Sequence, residues 1–269
     1  MGFSRSRVAA REGRRVGRKQ NHDALIRAVL DETPRKPAKP NIILKPLTPA
    51  QRLYDKSLRN NIITFGTGPA GTGKTWYATM FFADLLKNGE IEKLIITRPA
   101  VEAGESLGFL PGELEEKFDP YFRPLRDALV ESLGAGHLDY LIKAGTIEAR
   151  PLGLLRGSTF KNCAVIFDES QNSTISQMKM FLTRIGEDCR VAVNGDTRQK
   201  DITGHSGLID ACRRVTRIEH VGHIAFTKDD VVRSGICQKI VSAYEDDYDM
   251  LDAGLDNSGL EKILRLEND

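Results

Sequence analysis

Residues 61–89 read NIITFGTGPAGTGKTWYATMFFADLLKNG, and this stretch decides the fold. An apolar, β-rich run enters a turn made of Gly68, Pro69, Ala70, Gly71, Thr72 and Gly73, and Lys74 and Thr75 then open a helical pattern. Gly68, Gly71 and Gly73 let backbone N–H groups converge on a dense anion without side-chain obstruction, at the positive end of the following helix. Lys74 is placed to reach the β- and γ-phosphates of a nucleotide, and the Thr75 hydroxyl to ligate Mg²⁺. The loop therefore predicts binding of ATP or a close relative together with Mg²⁺. Behind it, Ala78, Phe81, Phe82, Leu85 and Leu86 form an apolar helical stripe, with Gly89 where a left-handed cap ends the helix.

Outward from this unit, short apolar runs alternate with amphipathic stretches: KLIITRP (93–99), IEARP (147–151), AVIFDE (164–169), RVAVNGD (190–196) and IEHV (218–221). Such alternation predicts an α/β fold, a mainly parallel sheet with helices on both faces. Ile175, Met178, Leu182 and Ile185 read as a second core-facing helix, started by Ser173 or Thr174 and ended by Gly186.

Two further strand ends carry chemistry. AVIFDE places Asp168 to hold Mg²⁺ through water and Glu169 to orient or deprotonate an attacking water. RVAVNGDTRQKD places Asp196 and Gln199 at the next strand end, where a Gln amide is able to donate to a γ-phosphate and accept from a water, with Gly195 allowing a tight turn. The same GDxxQ is also readable as an ordinary polar turn. Upstream, Thr48-Pro49-Ala50-Gln51 resembles the adenine-reading Q motif of helicases, because a Gln amide matches the N6/N7 edge of adenine. The plainer alternative is a helix N-cap followed by an exposed Gln.

The composition removes other classes. Lys+Arg 39 against Asp+Glu 37 leaves a net charge of +2, too small to imply a polyanionic partner by itself. The charge is uneven, however. Residues 1–42 are basic and end in a proline-rich run, and are expected to be a flexible arm, either partner-binding or merely solvating. Residues 246–269 are expected to be an acidic tail, with the globular domain spanning 43–245. Cys163, Cys189, Cys212 and Cys237 lack any CxxC pairing, so neither a disulfide framework nor a zinc site is indicated. No apolar run approaches the ~20 residues needed to cross a bilayer, and no signal region follows the N-terminal basic residues. A cytoplasmic location with no membrane partner is the expectation.

RPLGLLRGSTFKNCAVIFDESQNSTISQMKMFLTRIG (150–186) followed by NGDTRQKD (194–201) resembles the PhoH family, as do GTGPAGTGKTWYA (66–78) and TRPAVEAGESLGFLPGELEEKFDPYFRPL (97–125). The resemblance implies a RecA-like P-loop NTPase domain similar to the first motor domain of superfamily 1 helicases. Walker A is then Gly68 to Thr75, Walker B is Asp168 and Glu169, and the sensor is Asp196 and Gln199. The family is associated with ATP hydrolysis and with RNA binding or unwinding. Bacterial members often carry an additional N-terminal domain and some a PIN-type nuclease. Neither is recognisable here, so the chain looks like the short form common in phages, in which case the compartment is the host cytoplasm. Two positions depart from the pattern: Ser170 stands where Ala is usual, a change expected to matter little, and Ser234 stands where His is usual, which puts a role for that side chain in doubt.

Two-domain helicases complete the ATP site with an arginine from a second motor domain, for which this sequence shows no room after about residue 245. The expectation is a homo-oligomeric ring, a hexamer, in which a neighbour supplies an arginine finger. Arg233 is the first candidate and Arg184 the second, each alternatively a surface or ion-paired residue. Arg98, at the end of a strand, is a candidate for a single-stranded RNA or DNA backbone, and otherwise packs against Glu102 or Glu105. The Arg156-Gly157-Ser158-Thr159 turn, through Arg156 and Thr159, is a second candidate contact. Two rival classes remain beside the motor. One is a nucleotide-dependent assembly protein that does not translocate. The other is a small-molecule kinase, disfavoured because Glu169 and Gln199 position water and no acceptor lid is recognisable.

Overall fold

The computed structural model describes residues 44–99, 114–199, 201–233, 235–236 and 239–240. The expected arm and tail, together with Glu102, Glu105, Ser234 and Cys237, lie outside the described residues.

The β-branched runs form six strands: β1 (Ile63–Thr67), β2 (Lys93–Arg98), β3 (Ile147–Pro151), β4 (Cys163–Phe167), β5 (Arg190–Gly195) and β6 (Val221–Ala225). They pair in the order β3-β2-β4-β5-β1-β6, every pair parallel. Helix α1 (Pro49–Asn60) precedes β1; parallel strands need crossovers, and α2 (Lys74–Lys87), α3 (Leu114–Leu133), α4 (Ala135–Lys143), α5 (Ile175–Leu182) and α6 (Gly207–Val215) lie on them. The α/β class is as the alternation predicts. Sequence order alone does not give the spatial one: β5 is inserted between β1, which carries the glycine loop, and β4, which carries Asp168.

Alternate residues of the central strands feed two apolar layers. Leu94, Ile96, Ala164, Ile166 and Ala192 pack with α1, α2 and α3 through Tyr54, Tyr77, Phe82 and Leu129. Ile95, Val165, Phe167 and Val193 pack on the other face with Phe160, Met178, Phe181 and Leu208. Both faces are covered, so β4 is buried along its whole length, as expected of a strand in a parallel sheet.

Helix ends follow local chemistry. Thr48 caps α1, accepting from the Gln51 N–H, with Pro49 at the first helical position. Gly89 is left-handed (φ 73°), and the Gly89 and Glu90 N–H groups bond back to Leu86 and Leu85, closing α2 as the sequence predicts. In α5, Thr174 and Gln177 form a reciprocal capping box. The expected end of that helix is corrected, because it stops at Leu182 rather than Gly186, leaving Ile185 partly buried outside it. Gly186 serves close approach instead: its N–H bonds to Phe160 O, and a Cβ there would lie 2.6 Å from that oxygen. Ile175 is 38% exposed and so does not belong to the core stripe. The last strand starts at Val221, after His220 turns with φ 63°, so Ile218 to His220 precede it.

Two of the cysteines behave as small buried apolar groups: Cys163 Sγ and Cys189 Sγ sit 3.8 Å apart, and among the described residues no cysteine is in a disulfide. Among the described residues no helix is long and apolar enough to cross a membrane.

Candidate nucleotide-binding site

The C-terminal ends of β1, β2, β4 and β5 open into one cavity of about 580 Å³, where open parallel sheets place their ligands. Its floor is the loop after β1. Gly68, Gly71 and Gly73 have φ of 135°, 83° and 81°, in the region that glycine enters without strain. Gly68 has a second reason to be glycine, since a Cβ there would stand 2.2 Å from Phe226 O. The loop is tied internally: Thr72 Oγ1 donates to Pro69 O (3.1 Å), and Lys74 Nζ donates to the carbonyls of Gly68 and Pro69, each at 2.7 Å. Lys74 is thus held at the first turn of α2, lining the cavity with Ala70, Gly71, Gly73 and Thr75. Gly68, Pro69 and Thr72 lie behind this surface and shape it.

Gln51 is 3% exposed, which overturns the plain reading of an exposed Gln after a cap. Its Oε1 accepts from the Leu47 N–H (2.8 Å) and its Nε2 donates to Thr72 O (2.9 Å), so the carboxamide fastens α1 to the phosphate loop at the edge of the cavity. An adenine would have to share or displace these bonds.

At the other wall, the Thr75 hydroxyl donates to Asp168 Oδ1 (2.5 Å). Asp168 is 3% exposed, and its second oxygen accepts from Arg98 Nη2. The register makes this pairing, since β2 and β4 are neighbours and the Asp168 N–H bonds to Thr97 O. Among the described residues, the partner of the Arg98 side chain is thus Asp168, and Glu102 and Glu105 lie outside them. Arg98 lines the nucleotide cavity. The hydroxyl of Thr75 and the carboxylate of Asp168 are hard oxygen donors, a set that fits Mg²⁺. Among the described residues no cluster of three or more His, Cys, Asp or Glu side chains suggests any other metal centre.

Glu169 follows in a left-handed conformation (φ 50°), uncommon for a residue with a Cβ and costing ~1–3 kcal/mol where it occurs. Gln171 holds it there. Its Nε2 donates to Glu169 Oε2 (2.7 Å) while its Oε1 accepts from the Asp196 N–H (3.0 Å), joining the end of β4 to the end of β5. The local pattern gives Gln171 no task, and its signal in the sequence is its place two residues after the strand-end carboxylate of Glu169. Gly195 is corrected likewise: it ends β5 instead of turning, and a Cβ there would meet Gln171 Oε1 at 2.6 Å and Leu208 Cδ2 at 2.6 Å. Ser170 also does more than replace an alanine, because its Oγ donates to Asn194 O (2.7 Å) from a fully buried position. Asp196 and Gln199 line the cavity beyond Glu169.

Arg233 reaches the same cavity from the chain's last described turn. The Val232 N–H bonds to Gly71 O (3.0 Å), and the Arg233 side chain lies over Gly71, within 3.1 Å of where a Cβ would be. This turn is anchored by Asp230, whose Oδ2 accepts from the Thr227 N–H and hydroxyl. Burial alone raises the Asp230 carboxyl, but hydrogen bonds from Thr227, Thr48 and the Ala50 N–H outweigh it and hold it below the usual value. Arg233 thus lies over its own chain's phosphate loop. Arg184 lies at the opposite end of the sheet, where its carbonyl receives the Phe160 N–H just ahead of β4. Arg156 and Thr159 are exposed on the connection from β3 to β4 and do not line the cavity.

A glycine loop feeding the N-terminus of a helix from one strand of a parallel sheet, with an Asp at the end of another strand bonded to the Thr of that helix, defines the P-loop nucleoside triphosphatase fold. The family model described as PhoH-like protein matches residues 43–245, and the chain belongs to the PhoH family. It is 49% identical over 200 residues to the PhoH-like protein of Bacillus subtilis (strain 168), covering 74% of this chain and 63% of that one. Protein PhoH of Escherichia coli (strain K12) is 47% identical over 199 residues, 72% of this chain and 56% of the relative. The PhoH-like protein of Synechocystis is 44% identical over 232 residues, 86% and 69% of the two chains. The chain thus spans less than two thirds of the length of the first two relatives.

Proposed function

We propose that the protein binds ATP with Mg²⁺ and hydrolyses it, as an oligomeric ATPase acting on RNA or single-stranded DNA. The observation that carries hydrolysis is the meeting, in one cavity, of the phosphate loop with Glu169 and Gln199. Lys74 and the loop N–H groups hold the phosphates. When bound, Mg²⁺ neutralises charge on the β- and γ-phosphates, and Thr75 and Asp168 would hold it. Glu169 takes the proton of the attacking water, and Gln199 orients that water against the γ-phosphate. Arg233, over Gly71, adds positive charge from within the same chain. Arg184, which does not line its own chain's cavity, is our candidate to close a neighbour's site in a ring.

Glu169→Gln tests this reading. Nucleotide affinity is expected to stay within about threefold of wild type while turnover falls by about 10²-fold or more, the usual contribution of a general base; near-normal turnover refutes it. Nucleic-acid engagement rests on the exposed Arg156 and Thr159 and on the family's association with RNA. Stimulation of the ATPase by single-stranded RNA or DNA supports a motor, whereas indifference together with nucleotide-dependent mass supports an assembly switch.

A further inference from the structure

We propose that Arg98 is the counter-ion that Mg²⁺ exchanges for on Asp168, so that the side-chain tie between the ends of β2 and β4 is released only when the metal–nucleotide complex binds. The inference rests on the nucleotide reading above and deepens it.

The Asp168 side chain is 5% exposed and that of Arg98 13%. A carboxylate this far from water needs a compensating charge, because an unpaired buried charge costs several kcal/mol. Here Thr75 donates to one oxygen and Arg98 compensates the other. The same carboxylate and the same Thr75 hydroxyl form the donor set that fits a divalent cation, so guanidinium and metal compete for one partner. The cavity lining sets Lys74, Arg98 and Arg233 against Asp168, Glu169 and Asp196, so a dication that joins them needs further anions to balance it. The phosphates of a bound nucleotide, di- or triphosphate, supply those anions. On binding, Asp168 and Thr75 would hold Mg²⁺, and Arg98 would give up the carboxylate within the cavity it already lines. A second observation agrees: Arg98 Nε is buried with no hydrogen-bond partner among the described residues, so its pairing with Asp168 leaves one guanidinium N–H unsatisfied. A buried unsatisfied donor costs about 1–3 kcal/mol and marks an arrangement that a ligand can improve.

The exchange predicts how Mg²⁺ assists nucleotide binding. The chain has 1 tryptophan, Trp76, which lines this cavity, so its fluorescence reports occupancy. ADP is titrated in excess Mg²⁺ and in EDTA, and the ratio of the two affinities measures the assistance from the metal, cancelling any loss that the variant suffers equally in both conditions. In Arg98→Gln no cation has to be displaced, and the ratio is expected to rise about tenfold over wild type, the fold-change of one charge-assisted bond that no longer breaks. Arg98→Lys, whose compact and more strongly hydrated ammonium pairs less well, is expected to fall between the two. Should Arg98→Gln fail to fold, the order of Lys over Arg stands as the test. A ratio at or below wild type in the folded variants overturns the exchange. Wild-type protein that shows no ADP response with or without Mg²⁺ overturns the nucleotide site itself, a different outcome.

Discussion

Changing Gln171 to Glu preserves the size and the oxygen that accepts from the Asp196 N–H, but it replaces the N–H donor facing Glu169 with a second carboxylate. The two groups are 2.7 Å apart when one is an amide, and relaxation has to separate them once both are acids. At ~4 Å two unit charges repel by about 1 kcal/mol at the dielectric of water and about 4 kcal/mol at the effective value of a surface pair. Glu169 is exposed while Gln171 is 2% exposed, so the pair lies nearer the watery limit on one side only. With 1.36 kcal/mol per pKa unit, the expected consequence is an upward shift of roughly one unit in the apparent pKa of the pair. If Glu169 is the general base, it must be ionised to act, and the acid limb of the ATPase pH profile should move up by about the same amount. The assay is kcat against pH for wild type, Gln171→Glu and Gln171→Leu. The Leu variant removes the Glu169 bond without adding charge. It should lower kcat and, by stranding the Asp196 N–H, cost about 1–3 kcal/mol of stability while leaving the acid limb in place. A Glu variant whose limb coincides with wild type refutes the linkage from β5 through Gln171 to the base.

Gly195→Ala forces a methyl into Gln171, Leu208 and Ser170, and should lose about 1–3 kcal/mol in chemical denaturation; unchanged stability would show that the ends of β4 and β5 are loosely packed. Asp230, held below its usual pKa, contributes stability that is complete above the ordinary value of 3.8 and is lost as pH falls below it. Asp230→Asn should therefore be less stable by about 1–2 kcal/mol at neutral pH, the worth of a capping interaction, with the gap to wild type closing in acid, as followed by thermal melts across pH. Mixing Arg184→Ala with Lys74→Ala subunits should recover part of the ATPase activity if a neighbour's arginine completes each site, whereas no recovery at any ratio counts against a shared site.

Much of the molecule is legible along the chain because its determinants are local. The glycine loop, Lys74 and Thr75 are consecutive, so the geometry that exposes backbone N–H groups at a helix start is written in one stretch. The strands read as apolar β-branched runs because a parallel sheet buries both faces, and Thr48, Thr174 and Gly89 announce helix ends because capping is satisfied within four residues. Asp168 and Glu169 stand out because they end such a run.

What the chain order does not carry is which strand ends become neighbours. Placing β5 between β1 and β4, and β2 beside β4, follows from how all the crossovers pack together, and that arrangement brings Arg98 onto Asp168 and Gln171 under Asp196. The same packing turns Arg233 back onto Gly71 and leaves Arg184 at the far end of the sheet. The residues able to do chemistry were set by local sequence, whereas their partners were set by the lateral order of a sheet whose hydrogen bonds join segments tens of residues apart.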